Sequence, residues 1–274
     1  MNFFKKIFNF YIKANIHVGI ATAFLVLISV DRQQVVGNKY VFFVFFSTIF
    51  AYHFILTIAV NNKSDLINLV RKQSLLYRLI TFISVLGIFY FGLKLGVTKL
   101  LIIVIPSVIT FFYAIPLLKY KGQWVSLRNI PRLKNISIAF SWAVMTVLFP
   151  LQEQLSSLDV WLIFVQRFFL ILALIIPFDI RDIDDDKTSL QTLPQTLGIS
   201  KAKQIGFLYL FLFFFIGFFK TNNNLSSIMN DFLLLIIVFF LIVKSTKNQP
   251  KYYSSFWVES IPIIWWGILV FTGG

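Results

Sequence analysis

Residues 159–198, DVWLIFVQRFFLILALIIPFDIRDIDDDKTSLQTLPQTLG, pass from one chemistry into another within a single helical run. The segment 159–178 is apolar enough to cross a bilayer, which takes about 20 residues of helix. After Pro177 come Asp179, Asp182, Asp184, Asp185 and Asp186, five of the chain's 11 acidic residues. Asp179, Asp182 and Asp186 stand at i, i+3 and i+7, so on a continuing helix their carboxylates fall within roughly 60° of one face. Such a face suits a hard divalent cation such as Mg²⁺. The plainer alternative is a solvated acidic helix end. An EF-hand does not fit, because Lys187 stands where that loop needs glycine and Leu193 where it needs its closing glutamate.

The rest of the chain extends the apolar pattern. With 58% hydrophobic residues, 13% charged residues and a mean hydropathy of +0.82, the composition is that of a membrane protein. Nine segments approach spanning length: 14–30, 40–60, 76–93, 97–118, 135–150, 159–178, 203–219, 230–243 and 258–272. We therefore expect one integral membrane domain over 1–274, an all-α polytopic helical bundle of nine transmembrane helices. There is no cysteine, which excludes disulfides, thiolate metal sites and a cysteine nucleophile. The opening MNFFKKIFNFYIKA has no cleavage site and is expected to stay in the mature protein. Its Lys5, Lys6 and Lys13 suit either an interfacial helix on anionic lipid or an ordinary cytosolic flank.

Charge gives the orientation. With the N-terminus cytoplasmic, 19 of the 25 Lys and Arg residues lie on the inside and five outside, with Arg167 within a span. That asymmetry is the positive-inside pattern, and it places the C-terminus outside, as expected of a multi-pass protein of a bacterial inner membrane. It also accounts for the formal charge of +14 without nucleic acid as a partner. Three polar loops then share one side: 61–75 (NNKSDLINLVRKQSL), 119–134 (KYKGQWVSLRNIPRLK) and the Asp-rich stretch. Carboxylates facing a set of cations suit a metal-bridged polyanion, the metal on the acids and Lys119, Arg128 and Lys134 on the remaining phosphate charge. Those three cations are equally well explained as positive-inside flanks.

The run Asp179, Asp182, Asp186, then Thr192, Pro194, Gly198 and Ala202, resembles the second aspartate motif of the UbiA-type membrane prenyltransferases and the Thr-Leu-Pro and Leu-Gly segment after it. Tyr113, Pro116 and Lys119, in YAIPLLK, resemble the family's Tyr-x-x-Pro-Leu element. The resemblance implies a lipid-open cavity in which Mg²⁺ on the aspartates holds an isoprenyl diphosphate, and a lipid-soluble acceptor, often aromatic, attacks the allylic cation. It assigns the metal to Asp179, Asp182 and Asp186, with Asp65 as a weaker partner. Asp182 and Asp186 take the catalytic role; Tyr113, Arg181 and Asn62 join the three cations around the substrate.

The first aspartate motif departs from the family. Its best local match, Asn61, Asn62, Asp65 and Leu69, keeps the Asn and one acid; a second register, Tyr52 and His53, has Leu56 and Val60 where acids belong. Leu190 and Gln191 also replace the usual glycine and basic residue. Arg167 lies about 18 Å along the helix from Asp179, and an unpaired charge at such depth costs about 2.5–3.5 kcal/mol on insertion scales. It is expected to face the cavity or to pair with a group such as His17 or His53, the alternative being a snorkel to the outer surface. Arg181 has Asp185 as its i+4 neighbour and expected ion-pair partner. Two functions fit best: a Mg²⁺-dependent prenyltransferase, or a family member that has kept the bundle and lost turnover. A transporter fits less well, since no pair of Gly/Pro-broken helices marks an inverted repeat.

Overall fold

The computed structural model describes residues 3–35, 37–58, 75–185, 190–221 and 224–272. They form α1 (Phe3–Lys13), α2 (Ile16–Arg32), α3 (Asn38–Ile58), α4 (Leu75–Leu95), α5 (Val97–Ala114), α6 (Leu133–Leu148), α7 (Leu158–Arg181), α8 (Leu193–Leu197), α9 (Ile199–Gly217), α10 (Leu225–Lys244) and α11 (Tyr253–Thr272). Every one of the nine apolar segments carries a helix. Seven of these, α3, α4, α5, α7, α9, α10 and α11, are long and apolar enough to cross a membrane. The total reaches eight if α1 and α2, bent by 57° against each other, make one span; α6 is shorter. The bend falls at Asn15, whose φ of 56° lies in the left-handed region that asparagine tolerates better than most residues.

Helix α5 ends at Ala114, earlier than the segment 97–118 suggested, because Pro116 holds Ile115 in extended backbone. The chain then forms a two-stranded hairpin, β1 (Leu118–Tyr120) and β2 (Gln123–Val125), pairing Lys119 with Trp124. Lys121 and Gly122 make its turn with φ of 48° and 80°, the left-handed pair of a type I′ turn. Pattern reading expected only a loop here, since three-residue strands leave almost no period to detect.

The helix that carries the acidic stretch, α7, is the central one. Sixty-one per cent of the apolar window of α7 is buried within the protein, against 11–33% for the other spanning helices. It packs on α6, α9 and α10, and α11 joins α10 to α2. Leu170, Ala173, Ile176 and Ile180 of α7 meet Leu210, Phe213, Leu234, Val238 and Trp265 in the main core. Helix α3 lies between α2 and α4. In lipid, helices approach closely where side chains are small, and Gly87 of α4 lets the Phe46 ring of α3 lie on its backbone. A Cβ there would overlap the ring. Gly87→Ala is expected to destabilise by about 1–3 kcal/mol, the usual cost of overpacking, as a lower melting temperature in detergent.

At the end of the bundle where α7 begins, charges are buried in a shared network. Asp231 of α10 accepts from Arg32 of α2 at 2.8 Å, from Gln166 of α7 at 2.9 Å and from Lys220 at 3.4 Å. Asp159 accepts from the Thr221 backbone N–H and hydroxyl at 2.9 and 3.1 Å. The Arg32 and Arg167 guanidinium carbons lie 5.1 and 5.2 Å from the centre of the Trp265 ring, so one indole serves two cations. Burial pushes the Lys220 ammonium below its ordinary value, and Asp231 opposes that fall.

Candidate active-site cavity

The acidic end of α7 borders a cavity of about 720 Å³, within the range of small-molecule sites. Its wall comes from α3, α5 and α6, with Thr22 of α2, Ile88 of α4, Arg128 from the turn Leu127–Asn129, and Asp182. The body is apolar and aromatic, with Ile55, Ile138 and Trp142 among its lining. Its lining also includes Phe50 and Leu56 of α3 and Phe111 of α5, which are 36%, 50% and 43% exposed on the bundle surface. The cavity therefore opens between α3 and α5, on a face apolar enough for lipid.

The charged groups gather at one end. Arg128, Lys134, Asp182 and Tyr113 all line the cavity, with the Arg128 guanidinium 5.9 Å from the Tyr113 ring centre. They come from four separate places: the turn after the hairpin, the first turn of α6, the end of α7 and the last turn of α5. Both Arg128 and Lys134 can donate to phosphate oxygens.

Helix α7 stops at Arg181, with Asp182 as its C-cap at φ −89°, ψ 9° and a turn running on through Asp185. Carboxylates are unfavourable beside the negative end of a helix dipole, whereas Arg181 in the last turn is favourable. The single helical face expected of Asp179, Asp182 and Asp186 is thus not continued past Asp182. Asp186 itself lies outside the described residues, as do Asn62 and Asp65.

Asp179 is 1% exposed, one turn behind Asp182. It accepts from Asn135 Nδ2 at 2.5 Å and lies 3.4 Å from Lys134 Nζ. Arg181 pairs with Asp182 and not with the expected Asp185: its Nε and one terminal nitrogen donate to the two carboxylate oxygens at 2.6 and 2.9 Å. Asp184 is held by Lys247 at 2.6 Å. Lys119 stands on the exposed side of the hairpin, away from the cavity lining.

Arg167 neither lines the cavity nor pairs with a histidine. It is 2% exposed and donates to the Leu25 carbonyl at 2.9 Å, to Thr146 Oγ1 at 3.2 Å and to Ser29 Oγ at 3.1 Å. Backbone and hydroxyl acceptors on α2 and α6 supply what the histidines were expected to give, while Trp265 stacks on the charge. Thr146 does line the cavity, so Arg167 braces its wall from behind. His17 bonds Tyr11 and Ser260, and His53 bonds Thr81 and the Ala14 carbonyl. Both histidines are helix-packing groups.

Sequence reading missed Asn135, Trp142, Ser137 and Ser141. Asn135 adjoins Lys134 in a segment read as a span start, and nothing in its spacing marks it. The Thr-Leu-Pro and Leu-Gly segment has a local structural role: Gln195 accepts from the Thr192 backbone N–H at 3.1 Å at the start of α8, and Gly198 takes φ 82° between α8 and α9.

Among the described residues no group of three acidic or histidine side chains forms a metal cage. A metal-bridged polyanion asks for less, because Mg²⁺ keeps several waters and uses one or two carboxylates beside substrate phosphates. Asp182 on the cavity wall meets that need. Asn135 Oδ1, beside Asp179 and behind the cavity lining, is a buried acceptor oxygen with no hydrogen-bond partner among the described residues. The described donors fit a cation held jointly with a polyanion. Comparison with protein-family models, curated proteins and solved structures finds no match.

Proposed function

We propose that this membrane protein is a prenyltransferase of the UbiA type, moving an isoprenyl group from its Mg²⁺-bound diphosphate to a lipid-soluble, aromatic acceptor. The observation that carries this reading is the division of one cavity into a polar end, with Arg128, Lys134 and Asp182, and an apolar body open between α3 and α5. An amphiphile with an anionic head and a hydrocarbon chain fits that division. The motif resemblance of Asp179–Ala202 and of YAIPLLK supports it independently. On this reading α1/α2 and α6 complete nine spans, with the N-terminus cytoplasmic and the C-terminus outside in a bacterial inner membrane.

Arg128 and Lys134 hold the non-bridging oxygens of the diphosphate, and Asp182 offers its carboxylate to the shared cation, with Asp186 as the further ligand from the same stretch. The chemistry a bound Mg²⁺ supplies is neutralisation of the charge that grows on the departing diphosphate. Trp142 and the apolar lining keep water from the allylic centre, and the indole face suits a passing cation. Asp179 acts from behind by fixing Lys134 and Asn135. The second reading, a binding protein without turnover, draws on the bidentate hold of Arg181 on Asp182 and the reduced first motif.

The test is thermal stabilisation of the detergent-purified protein by farnesyl or geranylgeranyl diphosphate with Mg²⁺. Wild type is expected to be stabilised only when metal and diphosphate are both present. Arg128→Gln removes one charge-assisted contact and should weaken binding about tenfold or more. If no chain length gives a metal-dependent shift, the diphosphate reading fails.

A further inference from the structure

Among the described helices α1 is the most sharply two-sided. At 100° per residue Phe3, Phe4, Ile7 and Phe10 fall within about 120° of arc, and Lys5, Lys6, Asn9 and Lys13 within about 100° on the other side. None of its 11 residues is fully buried, and a helix so short is marginal in water by itself. The bundle holds it along one flank. Phe8 meets the Tyr252 and Phe256 rings edge-on at 5.0 and 5.2 Å, and Asn9 accepts from the Tyr252 hydroxyl and, at 3.1 Å, from Lys251 Nζ. The bend to α2 is fixed as well: Ala14 is 1% exposed, and its carbonyl accepts from His53 Nε2 at 3.0 Å.

Away from that flank Phe3, Phe4 and Ile7 are 71%, 83% and 49% exposed. Lys5, Lys6 and Lys13 are exposed too, on a helix without an acid, and none pairs with a described carboxylate. A partner for this surface must accept bulky hydrocarbon and unopposed cations side by side. The interface of a bilayer carrying anionic lipid supplies both, and it is the medium at the ends of a spanning bundle. At 100° per residue Phe8 falls between the apolar face and the lysine face, the order required of a helix lying flat in that interface beside the bundle.

We propose that α1 is an interfacial anchor for anionic phospholipid. Phe3, Phe4 and Ile7 enter the boundary between headgroups and acyl chains to a depth of about 5–10 Å, while Lys5, Lys6 and Lys13 bind lipid phosphates. The bend at Asn15 leaves the crossing to α2. This reading is independent of the reaction in the cavity.

The chain has no cysteine, so one introduced thiol reports on one position of the full chain in vesicles. A bimane label on Phe4→Cys should be quenched by phosphatidylcholine brominated near the top of its acyl chains at least about twofold more strongly than the same label on Lys6→Cys. Equal quenching overturns the proposal: if strong at both positions, α1 belongs to a span; if weak at both, it stands in water or against another protein. The second arm tests the charge. Adding phosphatidylglycerol should strengthen quenching of the Phe4→Cys label. Lys5→Gln, Lys6→Gln and Lys13→Gln together should remove that gain, each lysine weakening attachment about fivefold. No gain with phosphatidylglycerol, or a gain that survives the three substitutions, overturns the assignment to anionic lipid. All four positions are exposed, so the bundle should keep its melting temperature.

Discussion

Asp182→Asn is expected to lower Mg²⁺-dependent diphosphate release by at least about 100-fold, the scale on which a single electrostatic contact to a developing charge acts. The substitution keeps the shape of the side chain and removes its charge. Asp182 is the described carboxylate on the cavity wall, level with Arg128 and Lys134, so its loss removes the anionic half of the polar end. Stability should hardly change. The Arg181–Asp182 pair is about a third exposed on each side, and pairs so placed contribute about 0–1 kcal/mol. Activity and melting temperature should therefore separate, which distinguishes a chemical role from a structural one. Asp184→Asn is the matched control: Asp184 is 69% exposed, pairs with Lys247 and does not line the cavity, so release should stay within about twofold. Release by Asp182→Asn within about threefold of wild type would remove Asp182 from the site.

Asp231→Ala is expected to be the most damaging change to the fold, at about 3–5 kcal/mol, the cost of stripping the partner from buried charges. Its carboxylate serves Arg32, Gln166 and Lys220 at once, and its side chain is 3% exposed. Arg32 cannot discharge; Lys220 can. Burial already pushes the Lys220 ammonium below 10.5, and removing Asp231 deepens that fall. Between the lowered value and 10.5 the unfolded chain holds a proton that the folded chain has released, so folding becomes more favourable as pH rises. The deficit of Asp231→Ala should therefore be largest below the lowered Lys220 value and narrow on the way to pH 10.5. Lys220→Met in the same background should abolish the narrowing. Thermal unfolding in detergent across that pH range checks both statements, and a loss under about 1 kcal/mol would mean the network adds little.

The residues themselves determined the membrane class, the places of the long apolar helices and the acidic end of α7, because these are statements about neighbours in sequence. A run of apolar residues needs no partner to be excluded from water, and Pro116 ends its helix by local sterics. The left-handed bend at Asn15, the Lys121-Gly122 turn and the early stop at Arg181 were harder to see, since each depends on a few backbone angles without a period to announce it.

Which polar groups meet was decided only by the tertiary structure. Arg128, Lys134, Asp182 and Tyr113 come from separate elements and converge on one cavity. Lys119, with the same charge and the same loop, sits on the outside of a hairpin. Arg167 showed in sequence that it needed partners but not which: a buried guanidinium has five donors to satisfy, and carbonyl or hydroxyl acceptors from any packed helix can satisfy them. The pairing of Arg181 with its neighbour Asp182, where helical spacing pointed to Asp185, follows from the stop of α7 at Arg181. Sequence spacing fixes a face of one helix; it takes the packing of several to fix what that face meets.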